Sequence, residues 1–373
     1  MLAPALITRL TLTDFRNYEA LRLEPAARLI VLTGPNGAGK TNLIEAISLL
    51  SPGRGLRGAD YAELARHGAE PHWAVAVETG GVALGTEWTA SAEAASRRVA
   101  IDGRTQRSPA ALGQHLRLLW LTPAMDRLFA GPASERRRFL DRLVQAQDPA
   151  HAGHLTSFET AMRERNRLLE QTRPDTVWIA ALEAGMAEMA AAIAAARRSA
   201  IEVLQHQIAR RLPDSVFPWA EIGIDGELEA ALTRMPAVQA EDEYRHKLSD
   251  SRKEDRAAGR CLTGPHRSDF VVRHGLKAID AASCSTGEQK ALLIGLVLAQ
   301  AGVVKDAEGS APVLLLDEVA AHLDQHRRRG LFEALETLGA QSFMTGTEPE
   351  LFAAIPSGAL CYSVEAATVT RTA

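Results

Sequence analysis

The amino-acid sequence of 373 residues predicts an α/β fold, with a mixed sheet flanked by helices, a small antiparallel sheet and an inserted helical lobe. The first observation is an apolar run at 29–33 that leads into a glycine-rich turn and a helical pattern. The second is the apolar run 313–316, which ends in two acidic residues. The third is a helical pattern that fills 134–211. Strand patterns at both ends of the chain, with helices between them, indicate one head built from the two ends.

Short strands dominate the N-terminal part of the chain. Ile7–Phe15 alternates apolar and polar side chains, which is the pattern of a half-buried strand. The strand at 29–33 precedes a helix that we expect from about Lys40 to Leu50. Further short strand patterns, joined by glycine-containing turns, predict the small antiparallel sheet; they lie at 72–78, 82–89 and 97–101.

The middle of the chain is predicted to be helical. An Ala-rich stretch at 179–204 repeats apolar residues at helical spacing, and an earlier stripe begins at Leu155. Pro174 separates the two stretches, which predict either an antiparallel helical arm or an ordinary helical bundle. For the whole chain we expect an α/β head from 1–125 and 262–373, with a helical lobe and arm at 126–261.

The composition is that of an ordinary globular protein, with 46% hydrophobic and 24% charged residues. The net charge of −4 excludes a uniformly basic nucleic-acid coat protein, so any DNA binding must use local patches. Charge is unevenly distributed. Residues 217–244 carry seven acids and one base, a net charge of −6, and residues 245–277 carry nine bases and four acids, a net charge of +5.

The sequence also predicts a cytoplasmic location. Its three cysteines, Cys261, Cys284 and Cys361, are widely spaced and form no C-x-x-C pair, which fits a reducing compartment. The N-terminus lacks the charged-then-apolar pattern of a signal peptide. The longest apolar run, 291–299, is too short to span a bilayer, so we expect no membrane partner.

A phosphate-binding loop follows the first apolar strand. The pattern G-x-x-x-x-G-K-T is filled by Gly34, Pro35, Asn36, Gly37, Ala38, Gly39, Lys40 and Thr41, with a strand before it and a helix after it. Glycines let successive backbone N–H groups converge on phosphate oxygens, and the helix N-terminus adds positive potential. We expect Lys40 to reach the β- and γ-phosphates of ATP and the Thr41 hydroxyl to bind Mg²⁺.

Two acids end the second apolar strand, which delivers them at its carboxyl end. We expect Asp317 to hold Mg²⁺ and Glu318 to orient and deprotonate the attacking water. About thirty residues earlier, Ser285-Thr286-Gly287-Glu288-Gln289 opens an apolar helix. A serine and a glycine at a helix N-terminus suit an anion, although the segment alone would be interpreted as a helix cap.

These three elements, in this order, resemble an ATP-binding-cassette head. The segment 285–289 resembles the cassette signature, and Ala320–Asp324 resembles the D-loop. The resemblance implies a head-to-tail homodimer that sandwiches two ATP molecules. Residues of one subunit would then contact the ATP of the other; those residues are Ser285, Thr286, Gly287, Glu288 and Asp324.

A closer resemblance is to the RecF family, whose heads are related to those of SMC proteins. It is carried by ITRLTLTDFRNY at 7–18, TGPNGAGKTNLIEAI at 33–47, GPHRSDF at 264–270, CSTGEQKALLIGLVLAQA at 284–301 and LLLDEVAAHLD at 314–324. It implies an ATP-dependent DNA-binding protein with slow hydrolysis. DNA repair, recombination, replication and the SOS response are the implied processes, with loading of RecA-type proteins at gapped DNA alongside RecR- and RecO-type partners.

The resemblance also implies roles for single residues. Arg16 and Asn17 would lie near the adenine and sugar, Arg57 near phosphate or DNA, and Asn42 would bond to phosphate or to the helix cap. The glutamine that many cassettes place after a strand has no clear equivalent, although Gln114 is one candidate. No histidine occupies the expected switch region, where Thr345 or Thr347 stands instead, which predicts slow turnover.

DNA contacts are expected from basic clusters, because arginine binds phosphates without reading sequence. The candidates are Arg57, Arg136, Arg137, Arg138, Arg252, Lys253 and Arg256. Such clusters are also common as solvated faces or ion-pair partners. Two other functions stay open at this point: a transporter cassette, and an ATPase of a toxin or phage-defence system that does not act on DNA.

Overall fold

The computed structural model describes residues 6–90, 96–211, 215–321 and 323–372. Its strands are β1 (Ile7–Phe15), β2 (Tyr18–Leu23), β3 (Leu29–Thr33), β4 (His72–Thr79), β5 (Val82–Thr89), β6 (Ser96–Ile101), β7 (Arg104–Thr105), β8 (Leu118–Leu121), β9 (Ala220–Asp225), β10 (Asp269–His274), β11 (Ile279–Asp280), β12 (Val313–Leu316), β13 (Ser342–Gly346), β14 (Leu360–Glu365) and β15 (Thr368–Arg371). Its α-helices are α1 (Lys40–Ser48), α2 (Ala133–Gln147), α3 (His151–Leu169), α4 (Thr176–Arg211), α5 (Glu227–Ala231), α6 (Ala237–Asp250), α7 (Arg252–Ala258), α8 (Thr286–Glu308) and α9 (Gln325–Leu338).

Two compact units make up the chain. The head unit contains 1–127, 207–219 and 285–373, and the helical unit contains 128–206 and 220–284. The expected division placed 262–284 in the head, whereas these residues pack with the helical unit. The reason is that β10 pairs with β9 along its whole length, from Asp269 opposite Asp225 to His274 opposite Ala220.

The head unit contains a six-stranded mixed sheet in the order β15-β14-β3-β13-β12-β8. All neighbours are parallel except β14 and β15, which form an antiparallel pair. Every residue of β3, β8, β12 and β13 is buried, as expected for parallel strands covered on both faces. The sheet therefore brings β3 and β12, which precede the glycine-rich loop and the acidic pair, onto either side of β13.

A second six-stranded sheet, entirely antiparallel, completes the head unit in the order β2-β1-β4-β5-β6-β7. Buried residues alternate with less buried ones along β4, and the inward side chains of the sheet share a core with α1 and the mixed sheet. Trp73 lies in that core with its ring edge-on to Phe15, at 5.8 Å between ring centroids. The antiparallel sheet predicted from the strand patterns is confirmed, and it includes β1.

The helical unit packs α3, α4, α5 and α6 around one core that includes Phe158, Met186, Leu228 and Tyr244. Since α3 and α4 share this core with α5 and α6, the packing favours the helical bundle over a projecting arm. A three-stranded antiparallel sheet, in the order β11-β10-β9, completes the unit.

Helix α4 is long and apolar enough to cross a membrane by length and composition alone, with a mean hydropathy of 1.5 over its most apolar window. Glu183 and Arg197 are nevertheless buried on it, and both pair with other side chains of the helical unit. Buried and paired charges of this kind are typical of a core helix.

Candidate nucleotide-binding site

The glycine-rich loop is held by close backbone packing. Gly34 has φ of +145°, and a Cβ atom there would lie 2.1 Å from the carbonyl oxygen of Val364 on β14. Gly39 has φ of +117°, and a Cβ there would lie 2.6 Å from the Tyr18 hydroxyl and 2.7 Å from the Asn17 amide nitrogen. Any larger residue would push the loop away from these neighbours, so both glycines are required by shape as well as by backbone conformation.

Lys40 folds back over the loop from the first turn of α1. Its Nζ donates to the carbonyl oxygens of Gly34 at 2.6 Å and Pro35 at 2.9 Å. Burial lowers the pKa of Lys40, and the nearby carboxylates of Glu318 and Asp317 oppose that shift. A buried ammonium at the mouth of a loop of N–H groups is well placed to receive an anion.

The Thr41 hydroxyl donates to Oδ1 of Asp317 at 2.9 Å, although the two residues are 276 positions apart in sequence. This contact joins the loop after β3 to the acid after β12. A hydroxyl and a carboxylate oxygen are the ligand types that Mg²⁺ takes beside nucleotide phosphates. The donor set fits Mg·ATP, with Thr41 and Asp317 as the metal ligands and the loop as the phosphate cradle.

Thr345, at the end of β13, ties the two acids together. Its hydroxyl donates to Oδ1 of Asp317 at 2.7 Å and accepts from the backbone N–H of Glu318 at 2.9 Å. Thr345 is fully buried, whereas Thr347, the other residue considered for the switch region, is exposed. Glu318 itself has φ of +50°, a conformation that non-glycine residues rarely adopt and that often marks functional sites.

The residues after β1 brace the loop from outside. Asn17 donates to the carbonyl oxygen of Ala38 at 3.1 Å, and Tyr18 donates to that of Gly39 at 3.2 Å. Asn42 in turn donates to Asn17 Oδ1 at 2.8 Å. Asn36 lies exposed at the tip of the loop. Asn17 therefore contacts both the phosphate loop and Asn42, while a contact of Asn17 with adenine or sugar stays a prediction.

Glu45, on the phosphate-loop helix, was not among the residues singled out from sequence. It is fully buried, and the Arg16 guanidinium donates to its two carboxylate oxygens at 3.0 and 2.9 Å. Arg57 donates to Oε2 of the same acid at 3.0 Å and to Asn42 at 2.9 Å. The only sequence signal was an acid within an apolar helical turn. The two arginines and the single glutamate give this cluster beside α1 a net charge of +1.

The signature segment begins α8. Ser285 accepts from the Glu288 N–H at 3.4 Å, and Oε2 of Glu288 accepts from the Ser285 N–H at 3.1 Å, which is a reciprocal capping box. Thr286 and Gly287 are exposed. Asp324 caps α9 by accepting from the Arg327 N–H at 2.8 Å, and in the D-loop segment only His322 lies outside the described residues. The surfaces expected to contact a second subunit are thus open to solvent.

No glutamine follows β8, the strand beside β12; Thr122 stands there, and Gln114 precedes the strand. A small recess at this edge is lined by Thr122, Asp126, Lys290 and Asp317, with Lys290 Nζ 3.5 Å from Asp126. This lysine–aspartate contact, which sequence reasoning missed, occupies the position where a coupling glutamine was sought.

The structure separates the seven DNA candidates by burial and pairing. Arg137 is half-buried and donates to the Ser268 carbonyl oxygen at 2.7 Å. Arg136 grips Asp269 at 2.8 and 2.6 Å, and Arg252 pairs with Glu183, so these two guanidiniums are engaged inside the helical unit rather than free for DNA. Sequence could not reveal their acidic partners, which lie 133 and 69 positions away. Exposed candidates remain, namely Arg57, Arg138, Lys253 and Arg256, the last of which donates to the Gln171 carbonyl oxygen.

Known proteins resemble this chain over nearly its whole length. The model of the RecF/RecN/SMC N-terminal domain family matches residues 6–369. The DNA replication and repair protein RecF of Mesorhizobium japonicum is 51% identical over 371 residues, covering 98% of both chains. RecF of Rhizobium meliloti is 52% identical over 353 residues and 94% of both chains.

Solved structures share the fold. The recombination mediator protein RecF–ATPrS of the RecFOR pathway superposes with a TM-score of 0.84 at 24% identity, covering 99% of both chains. The Smc head domain of Pyrococcus furiosus gives a TM-score of 0.54 at 14% identity, covering 99% of this chain and 96% of that one. The predicted cassette-type head is confirmed, and the chain belongs to the RecF family of DNA replication and repair proteins.

Proposed function

We propose that this protein is an ATP-dependent DNA-binding protein of recombinational repair and replication. In this proposal ATP drives formation of a homodimer on DNA, and slow hydrolysis releases it. The proposal rests above all on one observation: the hydroxyls of Thr41 and Thr345 both donate hydrogen bonds to Asp317 beside the phosphate loop. Full-length relatives at about half identity that are named DNA replication and repair proteins support the DNA part.

The chain's own residues divide the work at the nucleotide. Bound Mg·ATP supplies the phosphoanhydride and the metal that neutralises its charge. Thr41 and Asp317 would hold the metal, and Lys40, which now bonds two carbonyl oxygens, would turn to the phosphates. Glu318 would accept a proton from the water that attacks the γ-phosphorus as the bond to the leaving ADP breaks. Hydrogen bonds between Thr345 and both Asp317 and the Glu318 backbone N–H hold the two acids in position for these roles.

Dimerisation would complete each site with the signature residues and Asp324 of the second subunit. The capped N-terminus of α8 adds backbone N–H groups and the positive end of a long helix dipole. An ATP molecule at such an interface favours the dimer by bridging both subunits, and its hydrolysis removes the bridge.

The wider role rests on the family. Duplex next to single-stranded gaps is the proposed DNA substrate, and loading of RecA-type protein with RecR- and RecO-type partners is the proposed purpose, in gap and stalled-fork repair linked to the SOS response. The structure named for the RecFOR pathway supports this choice of partners. The cytoplasm, where chromosomal DNA lies, is the proposed location.

The experiment measures ATPase rate and dimerisation, with and without gapped DNA, for wild type, Lys40→Met and Glu318→Gln. We expect Lys40→Met to abolish ATP-driven dimers because the phosphates lose their buried cation. We expect Glu318→Gln to accumulate dimers because ATP binds and is not cleaved. A transporter cassette or a phage-defence ATPase would show ATP-driven dimers that ignore DNA, and indifference to DNA in both assays would reject the proposal.

A further inference from the structure

The segment 264–270, GPHRSDF, belongs to the helical unit, and none of the nucleotide-site residues described above comes from it. Most of its polar groups are used internally. The Ser268 hydroxyl donates to the carboxylate of Glu229, whose two oxygens lie 2.9 and 2.8 Å from it, and the Pro265 carbonyl accepts from buried Arg197 at 2.7 Å. Asp269 grips Arg136, as described above.

The remaining side chains of the segment differ from one another. His266 lies against the ring of Phe158 at 5.8 Å between centroids, and its Nε2 is 3.1 Å from the Cys261 carbonyl oxygen. Arg267, next in sequence, is exposed, and no described residue forms an ion pair or a side-chain hydrogen bond with it. One arginine of the segment is therefore presented to solvent by a scaffold of buried polar contacts.

Arg137, on α2, lies beside it. One of its nitrogens donates to the Ser268 carbonyl oxygen at 2.7 Å, which fixes the guanidinium against the segment. Burial lowers the pKa of Arg137, and the positive charges of Arg197 and Arg267 lower it further. Asp269 and Asp141 oppose that shift, but each is already gripped by another arginine.

The local charges leave an excess of positive charge at Arg137 and Arg267. Four arginines, at 136, 137, 197 and 267, surround three acids, at 141, 229 and 269, so the sum is 4 − 3 = +1. Among the residues that the structure describes, no carboxylate lies within ion-pair distance of Arg137 or Arg267. Two neighbouring guanidiniums without an acid repel each other, and a shared anion would relieve that repulsion.

We propose that Arg137 and Arg267 together bind a backbone phosphate of DNA, which assigns the GPHR motif to DNA contact. This inference rests on the proposed DNA-binding function and names its site. A guanidinium offers a planar fork of N–H donors that matches phosphate oxygens. Because phosphate is the same at every base pair, this contact carries no sequence preference.

The test measures the salt dependence of gapped-duplex binding by the full-length protein with ATP and Mg²⁺. Because the two arginines share one phosphate, Arg137→Gln, Arg267→Gln and the double variant are each expected to flatten the slope of log K against log salt by up to about 0.9. Arg245→Gln is the matched control, because this exposed arginine of the same unit pairs with Asp242 at 2.8 Å. ATP affinity of all variants should equal that of wild type.

Wild-type binding with slopes that neither variant changes would overturn the inference and leave the proposed function standing. Failure of wild type to bind DNA at any salt would overturn both. Poly-glutamate of matched charge serves as the competing probe. If the two variants lose poly-glutamate binding while their DNA slopes stay at the wild-type value, the surface serves an acidic protein and the DNA assignment is wrong.

Discussion

At the scale of single residues, Thr345 decides how the two acids are presented. A hydroxyl can donate and accept at once, and here it does both, toward Asp317 and toward the Glu318 N–H. Since Glu318 stands at φ of +50°, its backbone needs an external contact to hold that conformation. Thr345 supplies it from the neighbouring strand.

The hydroxyl can be tested by Thr345→Val and Thr345→Ser. Valine keeps the shape, leaves the Glu318 N–H without its partner and removes one of the two hydroxyls that donate to Asp317 Oδ1, which costs about 1–3 kcal/mol. We expect kcat for ATP hydrolysis to fall about tenfold or more and the Mg²⁺ requirement to rise. Serine should restore both. Thr347→Val, on the exposed neighbour, is the control, and equal loss in valine and serine variants would mean that Thr345 only fills space.

At the scale of elements, α8 begins with a residue that has two possible tasks. Ser285 closes a capping box with Glu288, which stabilises the first turn. The same serine is the expected contact to the ATP of a second subunit. The capping role and the contact with ATP can be tested separately by aspartate. Aspartate is also a good N-cap residue, but its negative charge repels a phosphate.

We therefore expect Ser285→Ala and Ser285→Asp to differ in the stability of the helix terminus but to have the same effect on dimerisation. Alanine should lower the stability of the helix terminus by about 1 kcal/mol, and aspartate should largely keep it. Both should lose ATP-driven dimers. Amide exchange at the start of α8 reports the cap, and light scattering with ATP reports the dimer. Normal dimers in the aspartate variant would leave the serine with a capping role alone.

At the scale of the whole molecule, the helical unit is held together by buried charge. Arg165, fully buried, pairs with Glu183 at 2.9 Å and Asp255 at 2.7 Å. Arg197 pairs with Asp141 at 2.8 Å, and His151 lies 2.8 Å from the same acid. Removing one partner of such a set leaves a buried charge uncompensated, which is strongly destabilising.

This set predicts a pH dependence. Burial alone would raise the pKa of Asp141, but hydrogen bonds from His151 and the charge of Arg197 hold it below 3.8. The stabilisation is therefore present above about pH 4 and is lost as the pH falls through the lowered folded-state pKa. Asp141→Asn should cost about 3 kcal/mol near neutral pH, with a smaller difference from wild type at pH 3.

Urea midpoints between pH 3 and pH 7 measure this difference. Asp242→Asn is the control, because Asp242 pairs with Arg245 on the surface and its loss should cost less than about 1 kcal/mol. A destabilisation of Asp141→Asn that stays constant with pH would show that the carboxylate charge is not what stabilises the unit.

Elements whose chemistry is local were predictable from the sequence. The strand, glycine-rich turn and helix at 29–48 are adjacent in the chain, so their pattern alone predicts a phosphate loop. The strand that ends at Asp317 and Glu318 was predictable for the same reason. Contacts between residues far apart in sequence became visible only in the tertiary structure. It placed Thr345 on both acids and gave Glu45 its two arginines. Such contacts depend on strand order and on partners far away in sequence, which no local periodicity encodes.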